Sequence, residues 1–211
     1  MLLVLAAVLA IADWLAVAER LPHRLRALTK PATMVALIGA AWRADTGGAV
    51  HTWMVVGLVL SLAGDIFLML PEQWFVAGLG AFLLAHVAYI VAMAQLTLHP
   101  VALVVAAVVI GAGWVIAGRG IVAGATAKEP KMQVPVALYV TVISAMVAVA
   151  LLATGHARPT WWLPAAAVLF YASDAILGTN RFVRSQRWMP VAVMVTYHLA
   201  QAGFVGFVLT R

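Results

Sequence analysis

The chain has 211 residues, of which 65% are hydrophobic and 9% are charged, and it contains no cysteine. This composition, with a mean hydropathy of +1.06, excludes an ordinary soluble domain and predicts a single integral membrane domain over residues 1–211. The formal net charge is +6. Because the basic residues lie in short segments between apolar runs, they indicate membrane topology and argue against nucleic-acid binding.

Eight apolar runs predict eight transmembrane helices, because a helix needs about 20 apolar residues to span a bilayer and fewer when it lies inside a bundle. The runs are residues 1–19, 31–43, 52–70, 74–96, 100–118, 133–153, 160–178 and 190–209. The second run is short, and we expect Pro31 in its first turn, where proline is tolerated. The fold class predicted is therefore all-α, a polytopic membrane helix bundle.

The first run has a second interpretation. Residues 1–18 resemble a secretory signal peptide that ends in the small residues Ala16-Val17-Ala18. A signal peptide begins with a basic segment, and none precedes this apolar run, so a first transmembrane helix is favoured.

Lysine and arginine predict the orientation of the bundle. Ten of them follow helices 1, 3, 5 and 7, and three lie on the other side. The ten are Arg20, Arg24, Arg26, Lys30, Arg119, Lys128, Lys131, Arg181, Arg184 and Arg187, and the three are Arg43, Arg158 and Arg211. Since basic loops stay in the cytoplasm, both termini are expected outside, in a bacterial inner membrane.

Two aspartates, Asp65 and Asp174, are the strongest indication of function. Each lies near the end of an apolar run, where an ionised carboxylate costs about 3 kcal/mol or more and usually faces a polar cavity. Both helices run in the same predicted direction, which puts both carboxylates roughly 6–8 Å below the cytoplasmic interface at about 1.5 Å per residue. Asp13 falls at a similar depth; it either belongs to the site or forms a structural ion pair with Lys30 or Arg20.

Other polar residues are expected near this layer, each with a structural alternative as a hydrogen-bonded residue between helices. His86 and Tyr89 share a helical face, as do Tyr197 and Gln201. Asn180 either belongs to the site or caps the seventh helix. The candidate substrate-binding residues are Lys30, His86, Tyr89, Tyr139, Asn180, Tyr197 and Gln201.

No metal or cofactor is predicted. His86 and the two aspartates would have to bring metal ligands from three helices, and the sequence has no pair of histidines at helical ligand spacing. It also has no phosphate-binding glycine loop, dinucleotide fingerprint or Gly-x-Ser-x-Gly nucleophile motif.

The two halves of the chain are weakly similar. Asp65 is followed by His86 and Tyr89, and Asp174 by Tyr197, His198 and Gln201, at comparable distances. Lys30 and Lys131 also each precede a proline, four helices apart. A parallel 4+4 repeat explains this pattern, and chance resemblance explains it equally well.

The order of these residues resembles the YhhN-like family from helix 2 to helix 8. The resemblance is carried by Lys30-Pro31, Gly64-Asp65, Leu68, Phe75, Gly78, Phe82, His86, Tyr89, Pro135-Val136, Tyr139, Phe170-Tyr171, Ser173-Asp174, Asn180-Arg181-Phe182, Tyr197 and Ala200-Gln201. It implies a multi-pass membrane protein and the activity of the animal members, which are lysoplasmalogenases. Those enzymes hydrolyse the vinyl ether of lysoplasmenylethanolamine or lysoplasmenylcholine to a fatty aldehyde and a glycerophospho-base.

Two acids in an apolar site suit that reaction. Vinyl-ether hydrolysis starts with protonation of the alkenyl carbon and needs a carboxylate to stabilise the resulting cation and activate water, a division of labour also found in glycosidases. Asp65 and Asp174 are therefore the predicted catalytic residues, the substrate is expected to be a lysophospholipid, and loop Arg and Lys residues could hold its phosphate.

Three other functions remain open. A proton-coupled transporter of lipid or small solute would also bury acids. An intramembrane aspartyl protease would use similar Gly-Asp and Tyr/Asp segments, although four helices separate them here. A purely structural membrane protein is the third.

Overall fold

The computed structural model describes residues 1–19, 21, 23–44, 47–96, 102–153 and 161–211. These residues form nine α-helices and no strand, as the predicted all-α class requires. The helices are α1 (Leu2–Ala18), α2 (His23–Ala44), α3 (Gly48–Met69), α4 (Phe75–Ala94), α5 (Ala102–Gly113), α6 (Arg119–Lys128), α7 (Gln133–Leu152), α8 (Trp162–Gly178) and α9 (Met189–Thr210). Single 3₁₀ turns, Glu72–Trp74 and Pro130–Met132, precede α4 and α7.

Two π-helical segments lengthen the helices. Trp114–Gly118 joins α5 to α6 in one continuous rod, and Thr179–Val183 extends α8. The described residues therefore form eight helical rods: α1, α2, α3, α4, α5–α6, α7, the extended α8, and α9. Six of these rods are long and apolar enough to span a membrane: Gly48–Met69, Glu72–Ala94, Val104–Lys128, Pro130–Leu152, Trp162–Val183 and Met189–Thr210.

The first two rods do not meet the same criteria. α1 is apolar but has only 17 residues. α2 has 22 residues, and its first half carries Arg26 and Lys30. The number of membrane-spanning helices that length and hydropathy support is thus six.

The predicted start of the second helix at Pro31 is wrong. α2 begins at His23, and Pro31 lies inside it. A proline in a helix interior removes one backbone hydrogen bond and usually bends or breaks the helix. Here the helix continues because the surrounding bundle binds its polar side chains, as the contacts of Thr29 and Lys30 below show.

Several residues predicted in loops or at a helix end lie within helices. Arg24, Arg26 and Lys30 are in α2, Lys128 ends α6, and Arg181 is in the π-helical extension of α8. Arg119 begins α6, Arg43 is in the last turn of α2, and Asn180 is within the π-helical extension of α8 instead of capping a helix end. The predicted helix starts at residues 100 and 160 lie outside the described residues. The same is true of Arg20 and Arg158, which were used to predict the orientation.

The rods pack as a bundle with an apolar outer surface. α3 packs along α4, α8 along α9 and α1 along α2, and α2 also contacts α9 while α4 contacts α7. Large apolar side chains point away from the bundle, for example Ile116, which is 81% exposed. Contiguous apolar exposure of this kind is costly in water. Together with the six candidate membrane spans, it shows that this is an integral membrane protein.

The turns after α3, α6 and the extended α8 meet at one end of the bundle, which we call the basic end. Arg181 forms an ion pair with Glu72, and the ammonium of Lys128 donates to the carbonyl oxygen of Arg181. The rings of Phe75 and Phe182 meet edge to face, 6.0 Å apart. These contacts fix the ends of the helices that carry both aspartates.

Candidate active site

Asp65 lies on α3, is fully buried, and is held from two other helices. The ammonium of Lys30, on α2, lies 2.8 Å from its Oδ1. The hydroxyl of Tyr197, on α9, donates to its Oδ2 at 2.6 Å. A buried carboxylate is tolerated when it is paired and hydrogen-bonded, so these two partners make Asp65 suited to the ionised state.

Close packing of α3 against α4 helps to position Asp65. Gly64 precedes Asp65, and a Cβ at this position would lie 2.6 Å from ring carbons of Phe82 on α4. The missing side chain therefore lets α3 approach α4 closely, in the way that small residues pack membrane helices. Phe82 in turn meets Tyr197 edge to face at 5.8 Å.

Asp174 lies on α8 and has different partners. Tyr139, on α7, donates its hydroxyl to Oδ2 at 2.5 Å. His86, on α4, places Nε2 at 3.7 Å from the same oxygen, beyond hydrogen-bond distance. No lysine or arginine of the described residues lies within 4.0 Å of this carboxyl. Its side chain is 13% exposed, whereas that of Asp65 is fully buried.

Both aspartates line one cavity of about 280 Å³ near the basic end, which we call the polar cavity. Its wall also includes Lys30, Tyr197 and Arg26. The remaining lining residues are Leu68, Met69, Phe82, Ser173, Leu177, Val193 and Met194. The structure thus brings together the two aspartates that the sequence singled out.

A second, apolar cavity of about 60 Å³ lies on the other side of Asp174. Its walls come from α3, α4, α7, α8 and the α5–α6 rod. Tyr139 lines it beside Asp174, and Arg181 lies at its end near Phe75 and Phe182. Asp174, Leu68, Phe82 and Leu177 belong to both cavities, so the two cavities adjoin at Asp174.

Four other predicted site residues lie outside the walls of these two cavities: His86, Tyr89, Asn180 and Gln201. His86 is fully buried, packs edge-on against Phe170 at 4.7 Å, and has no hydrogen-bond partner among the described residues. Tyr89 donates to Oε1 of Gln201 at 2.7 Å and stacks on Phe204. Asn180 is partly exposed in the π-helical extension.

Asp13 does not line either cavity. It is fully buried on α1 and accepts a hydrogen bond from the hydroxyl of Thr29, on α2, at 2.9 Å. Its expected ion pair with Lys30 does not form, since Lys30 contacts Asp65, and Arg20 lies outside the described residues. Asp13 therefore joins α1 to α2 beside the site.

Arg26 and Ser173 both line the polar cavity, although neither was among the candidate site residues: the sequence analysis placed Arg26 only with the basic loop residues and Ser173 only in the family resemblance. Ser173 directly precedes Asp174 and donates to the carbonyl oxygen of Val193 at 3.0 Å, which ties α8 to α9. Arg26 lies one helical turn before Lys30 on the same face of α2, a spacing that could have found it. Across the described residues, no group of three His, Asp or Glu side chains is arranged to hold a metal ion.

These features define a class: a helical membrane protein with two buried aspartates, on different helices, facing a cavity near one end of the bundle. The chain belongs to the YhhN family, whose model matches residues 25–208. The predicted family is thereby confirmed. No solved structure matches the chain.

Several relatives of the chain carry the name of an enzyme. A protein of Mycobacterium bovis named lysoplasmalogenase is 37% identical over 188 residues, covering 82% of this chain and 68% of the relative. Human lysoplasmalogenase TMEM86B is 30% identical over 175 residues, covering 83% and 71%. The membrane protein YhhN of Escherichia coli O157:H7 is 38% identical over 88 residues, covering 40% and 42%.

Proposed function

We propose that this protein is a lysoplasmalogenase, a membrane hydrolase that cleaves the vinyl ether of lysoplasmenylethanolamine or lysoplasmenylcholine. The observation that carries the proposal is the pair Asp65 and Asp174, which line one cavity but have different partners. The relatives named lysoplasmalogenase support the same activity. The products are a fatty aldehyde and glycerophosphoethanolamine or glycerophosphocholine.

The reaction requires one proton donor and one group that stabilises a cation. A carboxylic acid protonates the second carbon of the alkenyl chain, which leaves an oxocarbenium ion at the first carbon. Water adds to that carbon as the carboxylate removes its proton. When the hemiacetal collapses, this newly protonated acid gives its proton to the glycerol oxygen and the first acid, now a carboxylate, takes the proton of the hemiacetal hydroxyl, which releases the aldehyde and the glycerol hydroxyl. The overall change consumes one water and returns both acids to their starting states.

Asp174 is the better proton donor of the two. It has no ammonium or guanidinium partner among the described residues, and a carboxyl in an apolar site without a cation favours its neutral form. Tyr139 occupies Oδ2 as a donor, which leaves Oδ1 to carry the proton to the substrate. The apolar cavity beside Asp174 has the apolar lining that the first carbons of the alkenyl chain require.

Asp65 is the better carboxylate. Lys30 and Tyr197 stabilise its negative charge, and it lines the same cavity as Asp174. In this role it stabilises the cation and removes a proton from water. Lys30, Tyr139 and Tyr197 are then positioning residues, while Tyr89 and Gln201 hold α4 against α9.

The proposal includes eight membrane-spanning helices in two halves of four. Each aspartate has one partner on the rod before its own, counted along the chain. Asp65 is on the third rod, and its neighbours Lys30 and Tyr197 are on the second and the eighth. Asp174 is on the seventh rod, and its neighbours Tyr139 and His86 are on the sixth and the fourth. A shift of four rods converts one set of three rods into the other, which supports a parallel 4+4 repeat.

The spacing along the chain supports the same repeat. Lys30 and Tyr139 are separated by the same number of residues as Asp65 and Asp174. Lys131, which the sequence had matched to Lys30, is exposed in the turn before α7. The counterpart of Lys30 is therefore Tyr139, and the exchange of a cation for a neutral hydroxyl makes the two aspartates chemically different.

The orientation follows from charge. Arg181, Arg184, Arg187 and Lys128 lie at the basic end, and basic segments remain in the cytoplasm. With eight spans both termini lie outside, and the cavities open in the cytoplasmic half of a bacterial inner membrane. The vinyl ether of a lysolipid, just below its headgroup, lies at a similar depth.

Aldehyde release by the purified protein tests this function. Wild type in detergent should release aldehyde from lysoplasmenylethanolamine, and Asp65→Asn and Asp174→Asn should each lower the rate at least about 100-fold, the usual contribution of a positioned acid or base. Glu19→Gln, which changes an exposed acid on the turn after α1, is the control and should keep the wild-type rate.

Two results would contradict the proposal. If either aspartate variant keeps full activity, the acid–base pair is wrong. If wild type releases no aldehyde in detergent but moves a lysolipid or solute with protons across sealed vesicles, the protein is a transporter, which also uses buried acids.

A further inference from the structure

The polar cavity contains a guanidinium that the acid–base chemistry does not use. We propose that Arg26 binds the phosphodiester of the lysolipid headgroup in the polar cavity, while the first carbons of the alkenyl chain enter the apolar cavity, so that the substrate crosses from one to the other at Asp174. This inference rests on the proposed function and adds where the headgroup lies and which residue selects it.

Arg26 is placed to meet a ligand. It lines the same cavity as Asp65 and Asp174 and lies one turn from Lys30 on α2, about 6 Å nearer the basic end. Its Nε is buried without a hydrogen-bond partner among the described residues. No carboxylate of the described residues lies within 4.0 Å of its guanidinium, and Asp13, which accepts a hydrogen bond from Thr29, interacts with it only at longer range. A buried N–H without a partner is costly, and an anion in the cavity would satisfy it.

The other cations that line the two cavities are already paired. Lys30 lies 2.8 Å from Asp65. Arg181, at the end of the apolar cavity, pairs with Glu72 and stacks on the ring of Phe75 at 3.6 Å. Binding phosphate at either residue would break an existing contact, whereas binding at Arg26 breaks none of the contacts found here.

The charge of the polar cavity matches a phosphodiester. Its walls carry two cations, Arg26 and Lys30, and two acids. With Lys30 paired to Asp65 and Asp174 neutral as the proton donor, Arg26 is the cation of the cavity wall that has no acid in the wall to pair with. A lysophospholipid phosphodiester carries one negative charge, and a guanidinium can bind two of its oxygens at once.

The spacing also fits the substrate. The glycerol of a lysolipid puts three carbons between the ether oxygen and the phosphate oxygen. Arg26 and Lys30 are four residues apart, about 6 Å along α2, and Lys30 contacts the carboxylate of Asp65. An ether bond beside the aspartates therefore places its phosphate within reach of Arg26. The chain leaves in the other direction, into the apolar cavity that shares Asp174.

Binding of a lysolipid that cannot be hydrolysed tests this subsite. The probe is 1-alkyl-lysophosphoethanolamine, whose saturated ether lacks the vinyl bond, added to the protein in nanodiscs of neutral lipid. Arg26→Gln should weaken its binding about tenfold or more, the effect of losing a charged hydrogen bond. Arg43→Gln, an exposed arginine in the last turn of α2, at the other end of the same helix, is the matched control and should stay within twofold of wild type.

Two further ligands identify what Arg26 recognises. 1-Alkylglycerol has the same chain and ether but no phosphate, and Arg26→Gln should leave its affinity unchanged. Inorganic phosphate has the anion without the lipid and should bind wild type far more weakly than the lysolipid. Arg26→Lys, which keeps the charge but loses the two-oxygen geometry, should show an intermediate loss and serves as the folded variant if Arg26→Gln unfolds.

Three outcomes would overturn the inference: no loss with Arg26→Gln or Arg26→Lys, an equal loss for 1-alkylglycerol, or inorganic phosphate binding as tightly as the lysolipid. The first excludes Arg26 as a ligand, the second makes its role structural, and the third makes the cavity a free-anion site. Because the probe is never cleaved, these results are independent of aldehyde release, which tests the catalytic function itself.

Discussion

Lys30 places its ammonium 2.8 Å from Oδ1 of Asp65, across the contact between α2 and α3. The corresponding position beside Asp174 holds the neutral hydroxyl of Tyr139, at 2.5 Å. Two aspartates in one cavity thus have a charged partner in one case and a neutral partner in the other. In the proposed mechanism this difference assigns the carboxylate role to Asp65 and the acid role to Asp174.

Removing the ammonium should expose how Asp65 is stabilised. Lys30→Met leaves a buried carboxylate without its cation, so we expect the free energy of unfolding to fall by about 3 kcal/mol, as for other broken buried pairs. Lys30→Met combined with Asp65→Asn removes both charges and should recover most of that loss, yet neither variant should release aldehyde at more than about 1% of the wild-type rate. Thermal unfolding in detergent and aldehyde release measure the two effects.

The double variant decides whether the pair is ionic. If Lys30→Met alone unfolds at the wild-type temperature, Lys30 does not stabilise a charged Asp65. If the double variant is less stable than Lys30→Met, the two residues contribute independently to the free energy of unfolding. The contact at 2.8 Å between their side chains then has no favourable interaction energy.

Two buried tyrosines allow the same one-atom change to be made inside and outside the site. Tyr139→Phe removes the donor to Asp174 and should lower kcat about tenfold or more while KM changes little, because the hydroxyl orients the acid. Tyr89→Phe removes the donor to Gln201, away from both cavities, and should cost about 1 kcal/mol of stability while kcat stays near wild type. Initial rates and thermal unfolding of both variants separate orientation from packing.

A large fall in kcat for Tyr89→Phe would mean that Tyr89 and Gln201 belong to the active site, as the sequence predicted. A wild-type kcat for Tyr139→Phe would mean that Asp174 needs no hydroxyl to act.

The sequence predicted that the two aspartates lie at the same level of the bundle, but it predicted less well which side chains contact each other. Depth follows from counting residues along a helix, and Asp65 and Asp174 do line one cavity. Which side chains meet depends on how each helix is rotated about its axis, and the apolar pattern of a membrane bundle constrains this rotation weakly. Tyr89 and Gln201 therefore contact each other, whereas Tyr139 and Tyr197 reach the aspartates.

The start of α2 could not be read from hydropathy for a related reason. The segment that begins α2 contains Arg26, Lys30 and Pro31. A hydropathy rule reads such a segment as a loop, because it assumes that the helix is surrounded by lipid or water. In the bundle, Lys30 pairs with Asp65 and Thr29 donates to Asp13. These partners come from distant parts of the chain, so the local sequence does not contain them.

Two helical glycines should respond oppositely to the same substitution. A Cβ at Gly64 would lie 2.6 Å from Phe82, so Gly64→Ala must push this ring toward the cavities and should cost about 1–3 kcal/mol. A Cβ at Gly80 meets open space, so Gly80→Ala should be neutral or stabilise by about 0.5–1 kcal/mol through helix propensity. Thermal unfolding of the two variants measures the difference.

Activity should follow the same division. Phe82 lines both cavities, so Gly64→Ala should raise KM as well as lower stability, and Gly80→Ala should leave KM unchanged. An unchanged KM in a folded Gly64→Ala variant would argue against substrate lying beside Phe82.

The absence of cysteine from the chain makes its orientation directly measurable. Ser185→Cys puts one thiol on the exposed turn before α9, at the basic end, and Arg211→Cys puts one on the exposed last residue. If basic segments lie in the cytoplasm, a membrane-impermeant maleimide added to intact spheroplasts should label Arg211→Cys and leave Ser185→Cys unlabelled until the membrane is permeabilised. Labelling of both from outside would mean that α9, the helix between the two sites, does not cross the membrane. The reverse pattern would place the cavities, Arg26 and both aspartates in the outer half of the membrane, where the lysolipid would have to enter from the opposite leaflet.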